Sequence, residues 1–62
     1  MYKIGDIVMW KYTLRKGYAS KIFDGFGRII NTIHTSDEVK YTLENNNTTK
    51  VVKEKHILRV LT

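Results

Sequence analysis

Apolar and polar positions alternate with a period of two along most of this chain. Val8, Trp10 and Tyr12 share one parity with Ile4, while Ile7 and Met9 take the other. Side chains on a strand point to opposite faces in turn, so residues 7–12 predict a first strand. A turn at Gly5 and Asp6 precedes it. A second strand is predicted over residues 28–34. Gly27, Ile29, Asn31 and Ile33 take one face there, and Arg28, Ile30 and Thr32 the other. Residues 38–44 alternate most cleanly, with Val39, Tyr41 and Leu43 inward against Lys40, Thr42 and Glu44 outward. Thr35, Ser36 and Asp37 form the polar turn before this third strand. Asn45, Asn46 and Asn47 form the turn after it, since asparagine tolerates the left-handed conformation. Thr48–Lys53 predicts a fourth strand, residues 54–57 a single 3₁₀ turn, and residues 58–61 a short closing fifth strand.

Residues 13–23 break the alternation. Leu14, Tyr18 and Ile22 fall at helical spacing, but Gly17 interrupts them and the segment is too short for a stable helix. A long loop is expected, with at most one helical turn. Asp24, Gly25, Phe26 and Gly27 read as a further turn leading into the second strand. Five short strands, a long first loop and one turn before the last strand together predict a small all-β barrel, because closure removes exposed sheet edges.

Composition supports that class. Ile, Val and Thr contribute 19 of 62 residues and alanine only one, a bias toward stiff β-branched side chains that suit a pleated surface. The length allows one domain, residues 1–62, and too small a core for separate cofactor and substrate halves. Cysteine is absent, which removes disulfides, zinc ribbons and thiol nucleophiles. No apolar run is long enough for a membrane-spanning helix, and the first six residues carry no signal-peptide pattern, so a cytoplasmic location is expected.

Residues 4–61 resemble the SH3-like barrels of the KOW and Tudor type. The resemblance rests on Gly5-Asp6-Ile7-Val8, Gly27-Arg28-Ile29, the alternation from Val39 to Leu43, and Val52, Glu54, Ile57 and Val60 at the end. It implies a five-stranded barrel with a long first loop and a 3₁₀ turn before the last strand. A similar outline belongs to the plasmid-encoded type II dihydrofolate reductases, oligomers whose fourth strand carries a Val-Gln-Ile-Tyr pore motif. Lys50-Val51-Val52-Lys53 stands in that strand here, without the residues which that chemistry uses.

The net charge of +5 is unevenly spread. Lys11, Arg15, Lys16 and Lys21 place +4 in residues 11–21 with no acid. Lys50, Lys53, Lys55 and Arg59 against Glu54 place +3 in residues 50–59, and the remainder carries −2. In an SH3-like barrel the first loop can lie near the end of strand four, so the resemblance implies one basic face. Cations neutralise phosphates, and flat rings such as Tyr18 stack on unpaired bases. Trp10 and Tyr12 share the parity of Val8 and are expected in the core.

No catalytic constellation is visible. Gly25-Phe26-Gly27 lacks the third glycine and the βαβ unit of a dinucleotide fingerprint. His34 and His56 lack cysteine partners and ligand spacing, so no metal or cofactor is expected. Glu54 is read as an acceptor for turn amides. Two functions follow for a non-enzymatic module. The first is binding of DNA or RNA with weak sequence preference through Lys11, Arg15, Lys16, Tyr18, Lys21, Lys50, Lys53 and Lys55. The second is protein interaction, with an acidic surface or a second copy, through the outward apolar residues Ile7, Met9 and Ile30. By analogy of size, that second kind includes small accessory or inhibitor proteins of phages and plasmids.

Overall fold

The computed structural model describes residues 2–62. Its strands are β1 (Ile7–Lys16), β2 (Ala19–His34), β3 (Val39–Asn45), β4 (Thr48–Lys53) and β5 (Ile57–Val60), with a single 3₁₀ turn at Glu54–His56. They form one antiparallel sheet in the order β4-β3-β2-β1-β5, compatible with an SH3-like fold. The sheet is not closed by hydrogen bonds, and β4 and β5 are its edges.

Residues 13–23 depart most from the sequence expectation. They form neither a loop nor a helical turn, but the distal half of a β1–β2 hairpin. Pairing runs without interruption from Ile7↔Arg28 to Lys16↔Ala19. Gly17 and Tyr18 are the two central turn residues, and Gly17 has φ +62°. A positive-φ glycine at the first central position is the type II′ arrangement, whose twist matches that of paired strands. The helical spacing of Leu14, Tyr18 and Ile22 was therefore coincidental. Leu14 and Ile22 lie exposed on a two-stranded arm.

Asp24, Gly25, Phe26 and Gly27 are likewise strand rather than turn. The glycines serve close approach. A Cβ on Gly25 would lie 3.1 Å from the Trp10 ring, and one on Gly27 would lie 3.1 Å from the Glu44 carbonyl oxygen. Further along β2 the register shifts between Ile29 and Asn31, which leaves Ile30 as the extra residue of a bulge. A bulge inverts the parity beyond it. Thr32 then sits opposite buried Tyr41, and Asn31 and Ile33 move to the outer face, opposite the predicted one.

Both polar turns form as expected. Asn46 and Asn47 have φ of 51° and 64°, the paired left-handed residues of a type I′ turn. Thr35 accepts the Glu38 amide on Oγ1 at 3.0 Å and donates that hydroxyl to the Glu38 carbonyl at 3.0 Å. Gly5 and Asp6 fasten the N-terminal segment to β2. The Gly5 amide donates to the Ile29 carbonyl at 2.8 Å, and the Ile29 amide donates to the Asp6 carbonyl at 2.8 Å.

The core is Val8, Trp10, Ile29, Tyr41, Leu43, Val52 and Ile57. Val8, Ile29 and Tyr41 are 0% exposed. With no second layer to cover them, the sheet must curl over its own inner face. Tyr41 is satisfied inside that core. It donates its hydroxyl to Glu54 Oε2 at 2.6 Å and accepts the Tyr2 amide at 3.3 Å. Burial and then the Glu54 bond push its phenol up from the usual value near 10.0. Glu54 thus meets a tyrosine hydroxyl, where turn amides were expected. No helix among the described residues is long and apolar enough to cross a membrane.

Candidate aromatic and basic site

The inner face of the sheet continues past the core toward the arm as a row of rings. Trp10 and Tyr12 are two residues apart on β1, and Phe23 lies directly across β2 from Tyr12. Trp10 and Tyr12 stack with centroids 5.8 Å apart and planes at 21°. Tyr12 and Phe23 stack at 5.2 Å and 22°. His56, from the 3₁₀ turn, flanks Tyr12 at 5.3 Å. Trp10 is buried as predicted, whereas Tyr12 and Phe23 are half-buried.

Two lysines reach these rings. Lys50 Nζ lies 4.9 Å from the Trp10 centroid, 5.4 Å from Tyr12 and 5.7 Å from Phe23. Lys21 Nζ lies 5.1 Å from Phe23. Strands β4 and β1 are three steps apart in the sheet, which would separate them by about 14 Å if it were flat. Curling brings Lys50 to Trp10. It also makes Phe23 a meeting point for cations from both basic segments. Neither lysine forms an ion pair among the described residues, where the bridges are Lys40 and Lys53 to Glu38.

The remaining predicted residues divide. Lys16 and Tyr18 sit exposed at the tip of the arm, and Arg15 sits exposed opposite Ser20. Lys11 is on the outer face opposite Asp24, so it does not join the ring row. Lys53 does not join it either, since its ammonium faces Glu38 Oε2 at 3.7 Å. Lys55 is exposed on the 3₁₀ turn. Of the apolar residues, Ile7 and Met9 are half-buried on the outer face, where Met9 is directly opposite Phe26. Phe26, 54% exposed, and Leu58, 57% exposed, line one shallow hollow with Met9. Ile30 is exposed at its bulge and does not line that hollow.

Phe23 and Leu58 carry no sequence expectation as site residues, Phe26 reads only as part of a turn, and His56 only as a metal ligand without partners. Phe23, Gly25, Gly27 and Ile29 do keep a period of two, but the two glycines disguise the strand as a turn. Nothing local signals His56 beside Tyr12, because that contact depends on the curl. No protein-family model matches the chain, and no curated protein or solved structure matches it either.

Proposed function

We propose that this chain is a non-enzymatic nucleic-acid-binding module of the SH3-like barrel type, akin to the KOW and Tudor barrels. Phosphates are taken by Lys11, Arg15, Lys16, Lys21, Lys50 and Lys55, with Tyr18 as an exposed ring at the arm tip. Lys53 contributes less, because its ammonium already lies beside Glu38, a carboxylate it shares with Lys40. One observation carries the reading. Cations from two separate sequence segments approach the same Phe23 ring, at 5.1 and 5.7 Å, and neither is ion-paired among the described residues. Like charges gathered without counter-charge favour an anionic partner. The arm adds to this, since it carries Arg15, Lys16 and Lys21 into solvent with no acid among residues 13–23. Such contacts read charge rather than base identity, so sequence preference is weak.

Fluorescence anisotropy across a salt series tests this. Log affinity should fall linearly with log salt, with a slope of about −0.9 per phosphate contacted on duplex and about −0.7 on single strands. Replacing Arg15, Lys16 and Lys21 together by alanine should weaken binding equally for all sequences. Absence of binding to both duplex and single strands at low salt overturns the proposal.

A second reading is favoured by the outer hollow of Met9, Phe26 and Leu58, with Ile7 nearby and Ile30 at the bulge. Exposed apolar clusters mark protein interfaces. Under it the chain is an accessory protein that docks on a protein partner or on a second copy of itself. A concentration-independent monomer in sedimentation, with Ile7→Ser and Met9→Ser tolerated in partner capture, counts against it.

A further inference from the structure

We infer that the row Trp10–Tyr12–Phe23 is a stacking platform for single-stranded nucleic acid, with Lys21 and Lys50 as the cations that take the strand's phosphates. The inference rests on the nucleic-acid reading above and narrows it to unpaired strands.

Three observations carry it. The rings are pre-aligned, with neighbouring planes within 22° of each other and centroids 5.2 to 5.8 Å apart. Aromatic faces ordered before binding lose little freedom when a base lands on them. Second, Tyr12 and Phe23 are only half-buried, although they adjoin a fully packed core. Beyond the core their ring surface meets only solvent-accessible neighbours, the Lys21 and Lys50 ammoniums and His56, among the described contacts. Third, one lysine side chain spans the whole row. Lys50 lies within 5.7 Å of all three ring centroids. Its ammonium pairs with no carboxylate among the described residues. A base replacing it on the rings releases that ammonium to the adjoining phosphate, so ring and cation both find a partner on the same strand. Lys21 is placed to do the same at the Phe23 end.

A duplex gains nothing from this arrangement. Its bases are stacked on one another and present only their edges in the grooves. Unpaired bases carry free faces, and stacking on aromatic side chains is tolerant of sequence because every base has one. The shared chemistry covers single-stranded DNA and RNA alike.

The test compares three probes at low salt: oligothymidylate and oligouridylate of about 15 nucleotides, and a mixed-sequence duplex of similar length. The single strands should bind more tightly than the duplex, and should quench the fluorescence of Trp10, the one tryptophan. Phe23→Leu and Tyr12→Leu keep an apolar side chain but lose the ring. Each should weaken single-strand binding by about ten-fold and leave duplex binding unchanged. Circular dichroism of each variant verifies the fold. If Tyr12→Leu unfolds, Phe23→Leu at the periphery decides alone. If Phe23→Leu unfolds as well, the wild-type duplex comparison and Trp10 quenching decide. Tight single-strand binding that ignores a folded Phe23→Leu variant, or preference for the duplex, overturns the platform and leaves the broader proposal standing. No binding to any probe overturns both.

Discussion

Gly27 shows how one residue's missing side chain holds two strands together. Its Cβ would fall 3.1 Å from the Glu44 carbonyl oxygen and 3.1 Å from the Leu43 Cβ. Both atoms belong to β3, which is paired on each side and cannot retreat. Gly27→Ala should therefore destabilise the fold by about 1–3 kcal/mol, as overpacking does, measured by urea denaturation. Tyr41 makes the second residue-scale case. Removing its hydroxyl leaves Glu54 Oε2 and the Tyr2 amide without their partner. Tyr41→Phe should cost about 1.5–3 kcal/mol near neutral pH, since the acceptor is a carboxylate. The pH dependence follows from the raised phenol. The native state holds that proton at a pH where the unfolded chain has begun to lose it. This contribution is complete below pH 10 and declines as pH rises through the native value. Denaturant midpoints above pH 10 should fall more steeply for wild type than for Tyr41→Phe. Parallel curves would show that Tyr41 does not carry the effect.

At the scale of the element, the β1–β2 hairpin has two parts. Up to Tyr12 and Phe23 it belongs to the curled sheet, and beyond them residues 13–22 stand alone as a two-stranded arm. An isolated hairpin is marginally stable in water. Amide exchange should be slowest at Val8 and Ile29 and accelerate toward Lys16 and Ala19. Because Tyr12 and Phe23 face each other, an Asn-Gly turn can join them directly and remove residues 13–22. The shortened chain should keep its β-sheet circular dichroism and most of its thermal stability, because the whole core survives. Under the proposed function it should bind oligonucleotides much more weakly than the full chain, because Arg15, Lys16, Tyr18 and Lys21 go with the arm. Collapse of the fold would mean that the arm braces the core.

For the whole molecule, the arm sets the shape. The radius of gyration is 12.1 Å, against about 10.6 Å expected for a compact chain of this length. The charge is arranged around that shape. Glu38 gathers Lys40 and Lys53 on the outer face, while Lys21 and Lys50 lie over the ring row on the inner one, without an ion pair among the described residues. A single basic face was expected. Lys21 and Lys50, one from each segment, meet at Phe23, while Arg15 and Lys16 lie further out on the arm and Lys53 pairs with Glu38. Salt-dependent binding should accordingly follow Lys21 and Lys50 more than Lys53. Charge reversal of Lys53 should weaken oligonucleotide binding less than that of Lys50, in the same anisotropy assay.

Local pattern determined the all-β class, the outward–inward alternation of β3, the asparagine turn and the single 3₁₀ turn, because period and turn chemistry act over a few neighbouring residues. It also placed Val8, Trp10, Tyr41 and Leu43 in the core. Residues 13–23 read as a loop because a hairpin arm has no buried face to impose alternation, and Gly17 interrupts the pattern. The parity flip at Ile30 escaped because a bulge is decided by the partner strand. The ring row with its two lysines belongs to the tertiary structure alone. Lys21 and Lys50 lie far apart in sequence, and only the curl of the sheet sets both beside Phe23.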